Sequence, residues 1–342
     1  MAEPGPIPGF SVISGAQVAD VLKNRERQVM QLVGNAYSAH SAGRTVNPRS
    51  SFLTFADRPG ARIIALPASI GGPVGVDGIK WIASVPANIE HGIPRASAVL
   101  ILNDQRTGYP FACLESSIIS ATRTAASAAL AATLLRRAKA TSVGFVGTGL
   151  IARYIHQYLA AAGFTFTEVN LFDLSTANAK SFGAFLCEAD PSQSVVVHDN
   201  ARSLIETSDI VVFATVAPAP HIHDVSWFAH RPLVLHISLR DLAPEIVLDA
   251  TNVVDDVDHC LTAQTSLHLT ETRVGNRSFV HGTIDDVAAG RLAPSTDRTT
   301  IVSPFGMGIL DLAVAKFVYD ELAAAGEIEP VPGFFHDLRR HG

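Results

Sequence analysis

Ser142-Val-Gly-Phe-Val-Gly-Thr-Gly-Leu-Ile-Ala152 is an apolar strand that runs into Gly147-Thr-Gly149, with a helical pattern immediately after it. Gly147 permits a tight turn, Gly149 lets backbone approach a pyrophosphate, and Ala152 is small enough for the helix to lie close on the strand. Leu150 and Ile151 open that helix, whose unpaired N–H groups and partial positive charge suit phosphate. A second strand, Glu168-Val-Asn-Leu-Phe-Asp173, ends in an acid that can accept hydrogen bonds from a ribose diol. The glycine triplet alone is weak, and a glycine turn between ordinary elements is the competing reading. Strand before, helix after and acid at the next strand end together predict a dinucleotide site. Asp173 has no adjacent Arg and would repel a 2′-phosphate, which favours NAD over NADP.

The bulk numbers fit that expectation. A chain of 342 residues can bury a substantial core and is long enough for two domains. Its 47% hydrophobic and 17% charged residues describe a globular protein, not a disordered one. A net charge of −6 without a basic block argues against a nucleic-acid partner. Cys113, Cys187 and Cys260 lie far apart, which fits free thiols in a reducing compartment. The start, Met-Ala-Glu-Pro-Gly-Pro, shows no basic segment followed by an apolar one, so no signal peptide is expected. No apolar run reaches the ~20 residues of a membrane-spanning helix. The expected compartment is the cytoplasm, with no membrane partner.

Outside the nucleotide unit the texture changes. A flexible Pro/Gly-rich lead-in is expected to about Gly9. Val18, Val21, Leu22, Val29, Leu32 and Val33 are helix-spaced and predict one amphipathic helix from Val18 to His40. From Arg49 to Leu114 come short β-rich runs, Phe52–Phe55, Ile63–Leu66, Gly78–Ala83 and Ser97–Leu102, with Asn103–Gly108 as a hairpin loop. These predict an antiparallel or mixed sheet. Glu115–Lys139 reads as a long helix. Strands at 142–147, 168–173, 194–197 and 209–214 then alternate with helices at 150–162, 176–189 and 201–207, which implies a parallel sheet with crossover helices. Strands at 233–237 and 252–255 extend it, and a helix from Ile309 to Ala324 follows. The expected architecture is α/β: a Rossmann dinucleotide-binding domain, 123–302, plus a discontinuous α+β substrate and dimerisation domain, 1–122 completed by 303–342.

Cations stand among apolar residues in the first domain: Arg49, Arg62, Lys80 and Arg95, with Arg123 on the linking helix. An ammonium inside an apolar strand is costly to bury unpaired, and desolvation can lower its pKa toward catalytic use. A lysine on the solvent face of a half-buried strand competes with that reading of Lys80. The planar fork of Arg suits carboxylates, and several near one site would indicate a substrate with more than one. Surface salt bridges compete at Arg62 and Arg95. Asp241 follows a strand end, where ligands bind in open α/β sheets, and is a proton-transfer candidate. A solvated loop acid is the alternative. His221-Ile-His223 lacks acidic or Cys partners at metal spacing, so no metal is expected.

Taken together, these stretches make the chain similar to the ornithine cyclodeaminase/μ-crystallin family, over about Arg49 to Lys316. The likeness rests on Gly78-Ile-Lys80-Trp, Leu102-Asn-Asp-Gln-Arg-Thr-Gly-Tyr-Pro110, Thr122-Arg123-Thr124-Ala-Ala, the Gly147–Ala152 turn and Ser303-Pro-Phe-Gly-Met-Gly-Ile-Leu-Asp311. Arg62–Gly72, Arg95–Asp104 and His236-Ile-Ser-Leu-Arg-Asp241 look like the family's 2,3-diaminopropionate-forming branch. The resemblance implies an NAD-dependent oxidoreductase that cleaves N-(2-amino-2-carboxyethyl)-L-glutamate, of siderophore or antibiotic pathways. Cyclodeamination of ornithine or lysine, other amino-acid or imine dehydrogenation, and non-catalytic crystallin-like binding of NAD and a small ligand stay open. By the resemblance, Arg49, Lys80 and Arg123 hold the amino-acid carboxylate, and Arg123 with Thr124 reaches the cofactor. Thr215 and Ser238 line the nicotinamide side, Phe305 caps the site, and Arg62 and Arg95 serve the additional carboxylates. The cyclodeaminase proton donor falls at Leu239 here, which leaves Asp241 as a displaced substitute. Family members pair through the first domain, so a homodimer is expected.

Overall fold

In the computed structural model, which describes residues 8–135, 140–293 and 296–336, the chain divides into two compact units. Unit 1 is Met1–Arg123 with Met307–Gly342, and unit 2 is Thr124–Gly306. The expected lead-in and the end of the helix expected to Lys139 fall at 1–7 and 136–139, outside the described residues.

Unit 1 is built on a seven-stranded sheet. Its elements are β1 (Ser11–Ile13), α1 (Gly15–Leu22), α2 (Glu26–Ser41), β2 (Thr45–Val46), β3 (Ser51–Thr54), β4 (Arg62–Ile70), β5 (Val76–Ser84), β6 (Ala96–Asp104) and β7 (Pro110–Glu115). A 3₁₀ turn, Pro86–His91, joins β5 to β6. The order is β1-β7-β6-β5-β4-β2 with β3 also on β4, all antiparallel except β1 on β7. Helix α3 (Ser117–Leu134) follows β7, and the C-terminal helix Gly308–Ala324, α11 in chain order, packs on β4, β5 and β6. Alternation along β5 sends Val76, Lys80 and Ser84 to the buried face and Trp81 to the other.

Three expectations for this unit need correction. The single helix from Val18 to His40 is two helices, broken where Asn24 takes φ 59°. Apolar spacing survives the break because Val18 and Leu22 of α1 and Val29 and Val33 of α2 are all buried, so periodicity alone cannot see it. Strands β1 and β2 were not expected, whereas β7 is the second arm of the expected Asn103–Gly108 hairpin. The helix read from Glu115 starts at Ser117, because the Glu115 carboxylate instead accepts from the Ser117 N–H at 2.6 Å.

Unit 2 is a Rossmann fold. Its elements are β8 (Ser142–Val146), α4 (Leu150–Ala161), β9 (Glu168–Phe172), α5 (Thr176–Ala189), β10 (Ser194–Val197), α6 (Ala201–Thr207), β11 (Ile210–Phe213), β12 (Leu233–His236), α7 (Pro244–Asp249), β13 (Thr251–Val254), α8 (Val257–Cys260), α9 (Ser266–Val274), β14 (Val280–Thr283), α10 (Ile284–Ala288) and β15 (Thr300–Ser303). The eight strands are all parallel, in the order β10-β9-β8-β11-β12-β15-β13-β14. Strands β8, β11, β12, β13 and β15 are buried at every position, as continuous apolar runs covered on both faces must be. The strand order reverses between β8 and β11, and ligands of open parallel sheets bind beyond the carboxyl ends of strands at such a point.

Close packing in unit 1 depends on one missing side chain. A Cβ at Gly78 would stand 2.2 Å from the Ile101 carbonyl oxygen and 2.8 Å from Leu312 Cδ2 of α11. Gly78→Ala is therefore expected to cost stability at the upper end of the ~1–3 kcal/mol typical of overpacking. The urea midpoint checks this, and an unchanged midpoint would show that helix and sheet can separate without loss.

Candidate active site

Unit 2 carries the predicted nucleotide loop at the end of β8. Gly147 has φ 89°, and a Cβ there would lie 2.7 Å from the Ala214 carbonyl oxygen, so only glycine fits. Gly149 is the N-cap of α4 and has open space around it, and no side chain caps the helix. Its first-turn N–H groups, near the exposed Leu150 and half-buried Ile151, are left for an anion. Asp173 stands beside the loop. Its Oδ2 accepts from the Thr148 backbone N–H and Oγ at 2.9 Å each, and its Oδ1 from the Ser175 N–H at 2.9 Å. A carboxylate oxygen has room for a second donor, so a ribose diol remains compatible with these bonds.

Beyond β11 and β12, Thr215, Ser238 and Asp241 come together. Asp241 has no solvent exposure. Thr215 Oγ donates to its Oδ1 and Ser238 Oγ to its Oδ2, and His221 Nε2 lies 3.0 Å from Oδ1. His236 Nε2 stands 3.3 Å from Oδ2 and 3.2 Å from the Asp241 backbone N–H, with its Nδ1 facing Ser303 Oγ. Burial pushes this carboxyl up, but donation from His221, with His236 and Ser238 adding, outweighs it and holds the group well below the usual carboxylate range. A carboxylate so saturated is a poor proton donor. Asp241 stands here as the shared hydrogen-bond acceptor of Thr215 and Ser238. Leu239, at the position of the cyclodeaminase acid, takes φ 68°, and its carbonyl accepts from the Ser266 N–H at 2.7 Å.

Phe305 belongs to this unit. Its N–H donates to Asp255 Oδ1 at 2.9 Å, and its ring packs at the edge of the unit 2 core near His259.

In unit 1 the cations divide. Lys80 is 1% exposed, and its Nζ reaches Asp311 Oδ2 at 2.7 Å and Ser120 Oγ at 3.3 Å. The solvent-face alternative for Lys80 is overturned. Arg123, one helical turn beyond Ser120, places Nε 3.2 Å from Asp311 Oδ1. Its terminal amino groups have no hydrogen-bond partner among the described residues. Two cations on one anion leave one uncompensated positive charge in a dry place. Burial, then Arg123, lowers the Lys80 pKa from 10.5 to about 8, although Asp311 opposes both. Arg62 and Arg95 lie at the other end of the same sheet face. Arg62 pairs with Ser84 across β4 and β5, and Arg95 donates to Ser84 Oγ at 2.6 Å. Burial depresses the Arg95 pKa, and no carboxylate partners it among the described residues. Four residues separate Ser84 from Lys80, roughly 13 Å along a strand. Arg49 is exposed just before β3, and Thr124 is half-buried on α3. Lys80 and Arg123 thus share Asp311, while Arg62 and Arg95 stand at the Ser84 end of the sheet.

Sequence reasoning gave no role to Asp311, His221, Ser84 or Asp255. An acid in the first turn of an otherwise apolar helix was the available signal for Asp311. His221 was weighed only as a metal ligand with His223. No cluster of potential metal ligands occurs among the described residues.

Removing one partner of a buried ion pair typically costs about 3–5 kcal/mol, whereas replacing the pair by apolar residues can be neutral. Lys80→Met and Asp311→Leu are each expected to lower the urea midpoint, and the double variant to lose less than their sum. The pH dependence has a definite sign. The Lys80 pKa is lower folded than unfolded, so the unfolded chain binds more protons between about 8 and 10.5, and stability rises across that window. Lys80→Met should flatten that rise in midpoints measured against pH.

A model of the ornithine cyclodeaminase/mu-crystallin family matches residues 13–326. The chain is 28% identical over 306 residues to N-((2S)-2-amino-2-carboxyethyl)-L-glutamate dehydrogenase of Staphylococcus aureus, covering 87% of this chain and 91% of that protein. It is 28% identical over 301 residues to alanine dehydrogenase of Archaeoglobus fulgidus, covering 86% and 89%. Its fold superposes on an archaeal alanine dehydrogenase dimer solved with bound NAD, with TM-score 0.84, 26% identity and coverage of 95% and 99%. With nearly its whole length matched, the chain belongs to the ornithine cyclodeaminase/mu-crystallin family.

Proposed function

We propose that the chain is an NAD-dependent oxidoreductase acting on the CH–NH bond of an amino-acid conjugate, N-(2-amino-2-carboxyethyl)-L-glutamate. The products are L-2,3-diaminopropionate and 2-oxoglutarate. The observation that carries this reading is the Lys80–Asp311–Arg123 group, with its one surplus positive charge and with terminal amino groups of Arg123 that have no hydrogen-bond partner among the described residues. A planar guanidinium fixed through Nε suits one carboxylate bidentately. Arg95, half-buried without an acid, provides for a second carboxylate, with Arg62 in register at the same sheet end. A substrate with three carboxylates matches that separation of cations better than ornithine does. The likeness to the Staphylococcus aureus dehydrogenase supports the same choice.

The uncapped N–H groups at the start of α4 would hold the pyrophosphate of NAD and Asp173 its ribose diol, and the bound cofactor would supply a hydride acceptor for the glutamate Cα–H. Fixed cations hold the substrate, and the orientation they impose accounts for much of the rate gain in such chemistry.

The protein also works as a homodimer in this reading. The sheet face of unit 1 opposite α11 carries Leu53, Ile63, Trp81, Val99 and Ile101 in one apolar patch. Trp81, Val99 and Leu53 are 42%, 43% and 43% exposed, and a contiguous apolar face of this kind marks an interaction surface. A second copy, meeting it through the same patch, covers it with closed symmetry.

Purified protein given NAD and the conjugate is expected to accumulate NADH and 2-oxoglutarate in equal amounts. Turnover of ornithine without net NADH, and none of the conjugate, would make it a cyclodeaminase, and tight NAD binding with no turnover a binding protein. Asp173→Ala should weaken NAD roughly tenfold to a hundredfold, from the ~1.5–3 kcal/mol of hydrogen bonds to a charged group, and narrow its preference over NADP. For the interface, Trp81→Glu is expected to sediment as a folded monomer. A Trp81→Glu dimer would place the subunit contact elsewhere.

A further inference from the structure

We propose that His221 is the proton-transfer residue of the reaction and that Asp241 is its positioning residue, a step that rests on the dehydrogenase reading above. His221 is the only member of the Asp241 net described here that combines a titratable ring with access to solvent. Its side chain is 40% exposed, while Asp241 and His236 are fully buried. The ring is held from two directions. Nε2 lies 3.0 Å from Asp241 Oδ1, and the His221 backbone N–H donates to the Asp241 carbonyl at 2.9 Å. The neighbouring Ile222 and Leu242 form a parallel bridge, which locks the two loops together. An Nε2–H given to a buried carboxylate puts the lone pair on Nδ1, and Nδ1 has no hydrogen-bond partner among the described residues. His223, two residues on, is outside the net and faces Glu245 at 3.6 Å.

The place of His221 in unit 2 fits the role. A Cβ on Gly147 would lie 3.1 Å from the Thr215 backbone N, and Thr215 Oγ donates to Asp241. Contacts therefore run unbroken from the dinucleotide loop through Thr215 and Asp241 to the imidazole. All of these residues follow the carboxyl ends of adjacent strands β8, β11 and β12, at the switch point of the sheet. Lys80, the other candidate for moving protons, is occupied by Asp311.

The chemistry balances around one water. Loss of hydride from Cα leaves a cationic C=N bond on the substrate. Water adds to that carbon while His221 Nδ1 takes one of its protons, which gives a neutral carbinolamine. The imidazolium returns that proton to the nitrogen, the C–N bond breaks, and the hydroxyl proton leaves to solvent. The sum is one hydride transferred, one water consumed, one proton released, a ketone and a primary amine. Asp241 stays ionised throughout and stabilises the imidazolium.

His221→Ala and His221→Gln test this, with Asp241→Asn as the positioning variant. Each is expected to bind NADH like the wild type by fluorescence titration. Each should form its first NADH at close to the wild-type rate but turn over roughly a hundredfold or more slowly, the lower end of general acid–base contributions. Added imidazole should restore part of the His221→Ala turnover. A second readout needs no turnover: with NAD bound, diethyl pyrocarbonate should modify His221 by mass spectrometry, and 2-oxoglutarate should protect it. Wild-type turnover in His221→Ala, or a loss that imidazole does not relieve with no protection by 2-oxoglutarate, would overturn the assignment. Failure of the wild type to form NADH from the conjugate overturns the dehydrogenase reading instead. In that event protection decides for His221, and its absence decides against.

Discussion

The Asp311 carboxylate has no contact with solvent, and each of its oxygens carries a cation. An isolated carboxylate in that position would be prohibitively costly, and so would an isolated lysine on the buried face of β5. Each makes the other tolerable, and Arg123 adds a surplus charge. The three residues come from α11, β5 and α3, at sequence separations of 231 for Lys80 and Asp311 and 188 for Arg123 and Asp311. This explains why the chain returns to unit 1 after completing unit 2: without the last helix, Lys80 would be a buried charge with no counterion. Asp311 also lies in the first turn of α11, where the helix dipole favours an anion.

Unit 2 uses acids in the same way at its strand ends. Asp173 after β9 ties down the Thr148 and Ser175 N–H groups, Asp241 after β12 gathers hydroxyls and a histidine, and Asp255 after β13 accepts from the Phe305 and Gly306 N–H groups. Loops leaving a parallel sheet have unpaired backbone donors, and carboxylates satisfy them with charge-assisted bonds. The effect is to tie down the loops that leave β9, β12 and β13 at their carboxyl ends. Cys260 is drawn into one of these sites, where burial and Asp255 raise its thiol pKa and make it inert.

Much of unit 2 was legible because its signals are local. Runs such as Ile210–Phe213 and Leu233–His236 are continuously apolar, and the Gly147–Gly149 turn sits between a strand and a helix that each announce themselves. Sheet order was not legible: β15 inserts between β12 and β13, a pairing that no local pattern encodes. In unit 1 the cations were named, but the acid that binds two of them was given no role. Lys80 in Ile-Lys-Trp-Ile is compatible with either face of a strand, and only Asp311, supplied from far along the chain, decides between them. The pairing of His221 with Asp241 was hidden for the same reason, since Asp241 lies 20 residues away on another loop.

Strand β5 shows how tightly these constraints are coupled. Lys80 points to Asp311 and α11, while Trp81, one residue on, points to the opposite, exposed face. Because side chains alternate with period two, a slip of one residue would carry the ammonium to the open apolar face and drive an indole against the Asp311 carboxylate. Pairing with β4 and β6 along all nine residues opposes such a slip. Gly78, on the Lys80 face, adds a second lock: it is the position where Leu312 comes close enough to exclude a Cβ, so a side chain moved into its place would push α11 away. The ion pair, the helix contact and the outward tryptophan therefore specify one register together, and none of the three could be shifted independently.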